Sequence, residues 1–161
     1  MKLTAVQQDY IETIYKLNSN SNLNKIRITD IASVLGTKLP TVTRTVHKLT
    51  ELGFVKHEKH GGVQLTIVGE KIAEELSHLH NDIILFCTEI LGMNEKQSKI
   101  DACQLEHAFS SSSAQKLHEF LIYYKSLSED EKEIITRFKN MKKKKNEFKN
   151  LPTNQTSGWR A

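Results

Sequence analysis

Between Arg27 and Leu65 the chain places four short patterned units in a fixed order, and no other stretch restricts its fold as strongly. Arg27-Ile28-Thr29-Asp30-Ile31-Ala32-Ser33-Val34-Leu35-Gly36 reads as a short helix. Thr29 is the expected N-cap, Ile31, Val34 and Leu35 the buried stripe, and Gly36 the residue that ends it in a left-handed conformation. Thr37–Leu39 turns the chain. Pro40 then takes the first position of a second helix, where its missing N–H costs nothing. That helix runs to Leu52 with Val42, Val46 and Leu49 facing inward. Phe54–Glu58 and Val63–Leu65 follow as two strands around Lys59-His60-Gly61-Gly62, whose glycines supply the positive φ of a tight hairpin. Helix, turn, helix and glycine-tipped hairpin in this order predict a winged helix-turn-helix.

Such a unit reads DNA when its second helix turns short polar and basic groups away from the core. Thr41, Thr43, Arg44, His47 and Lys48 all lie off the Val42/Val46/Leu49 stripe, and Thr37, Lys38 and Pro40 sit at the N-terminal end that would enter a major groove. Arg44 has the geometry to pair with a guanine, and threonine methyls suit thymine. Thr37, Lys38 and Lys48 suit phosphates, which position a protein without specifying sequence. Arg27, Lys56, Lys59 and His60 would flank that surface. Any amphipathic helix has a polar face; the order of the elements favours DNA here. Charge agrees with it, since residues 1–65 hold 9 Lys/Arg against 5 Asp/Glu, and residues 66–136 hold 6 against 13. A basic front half suits a polyanion, and an acidic middle suits cations.

Helical spacing of Val6, Tyr10, Ile14 and Leu17 predicts a first helix from Thr4 to Leu17, followed by a loop over Asn18–Asn24. Thr66 caps a long helix reaching about Leu91 and ended by Gly92. Asn94–His107 reads as further helix broken once, Ala114–Ser126 as another, and Ser128-Glu129-Asp130-Glu131 opens the last with acidic residues where its dipole favours them. The fold class is therefore mainly α. Lys142–Lys145 begins a basic, disordered tail, with a phosphate contact as the sharper reading. No apolar run approaches the roughly 18 residues of a membrane span. The N-terminus has no apolar signal core, and the two cysteines form no disulfide framework, so a reduced cytoplasmic setting is expected. Cys87 reads as a small core residue.

Cys103, Glu106 and His107 stand at i, i+3 and i+4, and Asp9 and Glu12 repeat the i, i+3 spacing on the first helix. Residues so spaced project from one helical face and can offer several donors to one ion. Carboxylates with imidazole suit Mn²⁺ and Fe²⁺, while a thiolate draws the site towards Fe²⁺, Co²⁺, Ni²⁺ or Zn²⁺. Taken singly, each group reads as a solvated face, and His80 as a satisfied polar residue. Lying on both sides of a winged helix, they read as a switch.

With Asp9-Tyr10-Ile11-Glu12-Thr13-Ile14-Tyr15, Pro40-Thr41-Val42-Thr43, Leu65-Thr66-Ile67-Val68-Gly69, His80, Ile90-Leu91-Gly92 and Ala102-Cys103-Gln104-Leu105-Glu106-His107, the chain resembles the diphtheria toxin repressor and manganese transport regulator family. The likeness covers about residues 4–138. It implies a winged-helix DNA-binding domain over 1–72, a helical metal-binding and dimerisation domain over 73–140, and a tail over 141–161, in the short form without an SH3-like domain. It also implies a homodimer on double-stranded operator DNA, repressing metal-uptake genes in response to Mn²⁺ or Fe²⁺, with Zn²⁺ or Co²⁺ as substitutes in vitro. Asp9, Glu12, His80, Glu106 and His107 match ligands of the manganese-type members. Cys103 matches the iron-type members, which carry methionine in place of Asp9; their ancillary glutamate and histidine are Ile84 and Lys99 here. The ligand set is a hybrid, which leaves the metal and the ion count open.

Two other classes compete. A small metallohydrolase would use Glu106 as base, but HExxH, a nucleophile elbow and a Gly-rich phosphate loop are all missing from the sequence. A winged-helix regulator of an organic ligand or oxidant would make Cys103 a redox thiol. The expectation is a non-enzymatic regulator with no membrane and no small organic substrate.

Overall fold

The computed structural model describes residues 3–20, 25–58 and 62–141. Lys59 and His60, expected in the wing, and the tail from Lys142 onward lie outside these residues. Helix α1 spans Ala5–Asn20, three residues beyond the expected Leu17. Its N-terminus is closed by Thr4 and Gln7, each side chain accepting a bond from the other's backbone N–H. Helix α2 spans Ile28–Leu35 and ends at Gly36 with φ of 59°. Its cap is Arg27, not Thr29. The Asp30 carboxylate accepts the Arg27 N–H at 2.7 Å, so the aspartate one residue after Thr29 sets the helix start. Val34 is exposed rather than buried, and Ile31 carries the inward face.

Helix α3 spans Leu39–Glu51 after an N-cap at Lys38, which puts Pro40 second in the helix rather than first. A backbone N–H would be unpaired at either position, so proline's lack of one costs nothing at either. Val42, Val46 and Leu49 are fully buried, as their spacing predicts. Strands β1 (Val55–Glu58) and β2 (Gly62–Leu65) pair antiparallel as the wing, Val55 opposite Leu65, and Val63 also bridges to Ile26 ahead of α2. Thr66 caps α4 (Ile67–Leu85) by accepting the Gly69 N–H, and its hydroxyl also donates to the Gly53 carbonyl. The helix continues through one wide π turn, Phe86–Ile90, before Gly92 reverses the chain at φ of 63°.

Helix α5 is a single run, Glu95–Leu105, without the expected break. Asn94 caps it, and Ser98 and Ala102 are small enough to seat it closely on α4. Helix α6 spans Ser111–Ser126. The acidic Ser128–Glu131 segment forms a turn in which Glu131 bonds back to Ser128, so helix α7 starts only at Glu133 and runs to Met141.

Two cores share α4. The first joins Ile11, Ile14, Ile31, Val42, Val46, Leu49, Val55 and Val63 with Ala73 near the start of α4. The second joins Leu79, Ile83 and Cys87 with Ala102 of α5. Cys87 is the core residue its apolar run predicts. Among the described residues no helix is long and apolar enough to cross a membrane.

Candidate metal centre and nucleic-acid interface

Ser98, Ala102 and Glu106 recur every four residues, so the face of α5 that packs on α4 carries a carboxylate at its C-terminal end. Glu106 is consequently 3% exposed. His80 of α4 meets it: its Nδ1 lies 2.6 Å from Glu106 Oε2, a contact that holds one proton between the two groups. Cys103, one turn earlier on α5, brings its sulfur to the rim. Donor atoms of His80, Cys103 and Glu106 all lie within 4.8 Å of one another.

The other Glu106 oxygen, Oε1, is 3.5 Å from His107 Nε2, and the same Nε2 is 2.9 Å from Asp9 Oδ1 on α1. His107 Nδ1–H donates to the Gln8 amide oxygen at 2.8 Å. Glu12, one turn past Gln8, is also buried; Lys16 Nζ contacts its Oε2 at 3.1 Å, while Oε1 is enclosed without a hydrogen-bond partner. His80, Cys103 and Glu106 thus form one donor group, His107 and Asp9 adjoin it through Glu106 Oε1, and Glu12 lies near enough to act on Glu106 and His80 through its charge.

Packing anions this closely shifts their protonation. Burial, and then the Glu12 charge, push Glu106 up to about 7. Burial lowers the His80 imidazole, with Glu12 opposing. Burial first, and Glu106 next, raise the Cys103 thiol. Three carboxylates sharing one partly dry junction repel one another, and an enclosed carboxylate oxygen without a donor is costly. A divalent cation meets both demands, so the donor set fits a metal ion. Two residues outside the sequence reading belong to this site. Gln8 and Lys16 flank Glu12 at i−4 and i+4, and that spacing alone would have placed them on its face.

On α3, Thr41, Thr43, Arg44, His47 and Lys48 are all exposed, as are Lys38 and Pro40 at its start, while Thr37 is half-buried. Glu51 pairs with Lys48 at 3.0 Å and lies 3.4 Å from His47, so Arg44 and Lys38 are the cations of this surface without an ion pair among the described residues. Leu39, Pro40, Thr43, Arg44 and His47 line an open hollow of about 550 Å³. A second hollow lies between Arg27 and the wing, lined also by Lys25, His57 and Gly62. Leu39, which the sequence places in the turn, and Lys25 and His57 extend the expected surface. Lys56 is exposed on the same strand.

A winged helix joined by a shared helix to a bundle, with cation-seeking donors at the joint, defines a metal-responsive DNA-binding regulator. Residues 2–63 match the family described as iron dependent repressor, N-terminal DNA binding domain, and residues 66–136 match its metal binding and dimerisation domain. The chain belongs to this family of metal-dependent transcriptional repressors. It is 36% identical over 118 residues to an uncharacterized HTH-type transcriptional regulator of Methanocaldococcus jannaschii, covering 73% of this chain and 94% of that one. It is 33% identical over 135 residues to the HTH-type transcriptional regulator MntR of Oceanobacillus iheyensis, covering 82% and 90%. The fold matches the solved manganese regulator SloR with a TM-score of 0.63 at 29% identity, over 76% of this chain and 55% of that one. The chain thus spans about half the length of that solved relative.

Proposed function

We propose that this chain is a homodimeric, metal-activated repressor of metal-uptake genes, acting in the cytoplasm on a double-stranded operator. The observation that carries the reading is the convergence of Asp9, Glu12, His80, Cys103, Glu106 and His107 from three helices onto the joint between the two cores. Asp9 and Glu12 belong to the helix that packs directly on α2 and α3, and His80 to the helix shared with the bundle. Residues 1–72 act as the reading head and 73–140 as the metal-binding and dimerising part.

A divalent cation supplies the positive charge that relieves repulsion among the three carboxylates. Glu106, held at the bundle end of α5, and Asp9 and Glu12 on α1 then favour one angle between head and bundle. Two heads fixed at one angle can place both α3 helices in major grooves about one helical turn apart. Arg44 reads a base edge, while Arg27, Lys38, Lys48 and Lys56 bind phosphates. The class is a regulator, not an enzyme. Mn²⁺ and Fe²⁺ are the favoured ions: SloR is named a manganese regulator, and Cys103 adds a softer donor.

The test is operator binding by purified metal-free protein titrated with Mn²⁺, anaerobic Fe²⁺, Zn²⁺ and Co²⁺. Binding should appear with metal and vanish with chelator. Operator affinity indifferent to every ion would sink the proposal. Sensitivity to peroxide or small aromatics instead would favour the organic-ligand or oxidant reading.

A further inference from the structure

His107 does not sit within a regular helix. It lies in the turn that ends α5, where the Ala108 N–H already closes back onto the Leu105 carbonyl at 2.9 Å. Its ring must therefore be fixed by side chains, and consecutive residues of α1 grip it at both nitrogens. Asp9 Oδ1 lies 2.9 Å from Nε2, and the Gln8 amide oxygen lies 2.8 Å from Nδ1. An amide oxygen only accepts, so Nδ1 must carry a proton. Nε2 is turned to Asp9 and Glu106, whose oxygens also only accept, so an ion bound there would take the place of a proton on Nε2.

We propose that Gln8 is a positioning residue for the metal centre: it accepts the Nδ1–H of His107, fixing the tautomer and ring orientation that point Nε2 at Asp9 and Glu106. The inference rests on the metal-binding reading above and extends it to a residue that touches no ion. An imidazole ligand gains affinity when its other nitrogen donates to a fixed acceptor, and loss of such an acceptor typically lowers metal affinity about 10–100-fold. Here the acceptor stands on the reading head and the imidazole on the bundle. The bond spans 99 positions of sequence and ties the reading head to the bundle at the joint. Gln8 thereby lowers the ordering that metal binding must impose on the joint.

The experiment uses the full chain as wild type, Gln8→Met, Gln8→Glu and His107→Ala, with far-ultraviolet circular dichroism to check folding. Zn²⁺ and Mn²⁺ affinities come from chelator competition. Nitrogen-15 spectra of the imidazoles in Zn²⁺-loaded protein locate the His107 proton. The expected result is a loss of about 10–100-fold in Gln8→Met, which keeps length but offers only a weakly accepting thioether in place of the amide oxygen. Gln8→Glu, which restores an acceptor, should bind at least as tightly as wild type. A slowly exchanging proton on Nδ1 should appear in wild type and Gln8→Glu, and exchange rapidly in Gln8→Met. Wild-type affinity in Gln8→Met, with His107→Ala weakened, overturns the role of Gln8 and leaves the metal reading intact. Wild-type affinity in His107→Ala overturns both. A proton on Nε2 rather than Nδ1 in Zn²⁺-loaded wild-type protein overturns the proposal on its own, even if Gln8→Met does not fold.

Discussion

Glu106 gathers the chemistry of the joint into one carboxyl group. Burial raises its pKa from the ordinary carboxylate range to about 7, so it stabilises the metal-free fold while protonated. That stability is complete below the ordinary carboxylate range and is lost as pH rises through about 7, a difference on the order of 3 kcal/mol. Melting of metal-free protein should therefore fall between pH 5 and pH 8 through this group. Metal binding has the opposite dependence, because the cation displaces the proton: affinity should rise by up to about tenfold per pH unit below pH 7. Chelator competition at pH 6, 7 and 8 measures it, and a flat profile would remove Glu106 from the ligand set. Cys103 gives a second residue-level expectation. A rim thiolate in the shell should give Co²⁺-loaded protein a near-ultraviolet charge-transfer band that Cys103→Ser lacks, and Cys103→Glu should move preference towards Mn²⁺ over Zn²⁺. A band unchanged in Cys103→Ser would make the thiol a spectator. Helical spacing in the sequence groups Asp9 with Glu12 and Cys103 with Glu106 and His107, whereas His80 stands alone on α4 and is joined to them only through the family resemblance. Gln8 and Lys16 were not legible there, since a neutral amide and an ordinary lysine acquire roles only once α1 meets α5.

At the scale of elements, legibility followed the strength of local signals. Helices α3 and α4 were read closely because Pro40, Thr66 and regularly spaced large apolar residues mark them. Helix α5 was misread as broken because its buried positions, Ser98 and Ala102, are small and give almost no hydrophobic pattern; close approach to α4 holds it instead. At α2 a competing carboxylate decided the start: Asp30 reached the Arg27 N–H, and Thr29 was left exposed. Close approach matters again at Gly69 in the first turn of α4, where a Cβ would run into the Phe54 carbonyl oxygen and crowd Leu65. Backbone cannot yield there as a flexible side chain would. Gly69→Ala should cost about 1–3 kcal/mol by overpacking and lower the thermal midpoint of metal-free protein by several degrees. An unchanged midpoint would show that α4 can slide on the wing, and the joint would then be looser than the packing implies.

Across the whole molecule, α4 makes the two halves answer to each other. Ala73 is built into the core of the reading head and Leu79 and Ile83 into that of the bundle, with His80 between them on the same helix. On the proposed function, an ion held by His80, Glu106 and α1 would therefore act on the angle between two packed bodies, not on a loose linker. If metal and operator favour the same angle, linkage requires that each raise the other's affinity by one common factor, typically about 5–150-fold. Four titrations test this: operator affinity with and without Mn²⁺, and Mn²⁺ affinity with and without operator. The two ratios must agree. Arg44→Ala separates reading from coupling, because Arg44 is exposed on α3 and outside the donor cluster. It should weaken operator binding by roughly 1–3 kcal/mol in both metal states, leaving Mn²⁺ affinity of the free protein and the coupling factor unchanged. A mutant that lost coupling while keeping operator affinity would place Arg44 in the switch rather than on the reading face. A wild-type protein whose operator affinity rises with Mn²⁺ only as far as bulk charge screening predicts would have no switch at the joint.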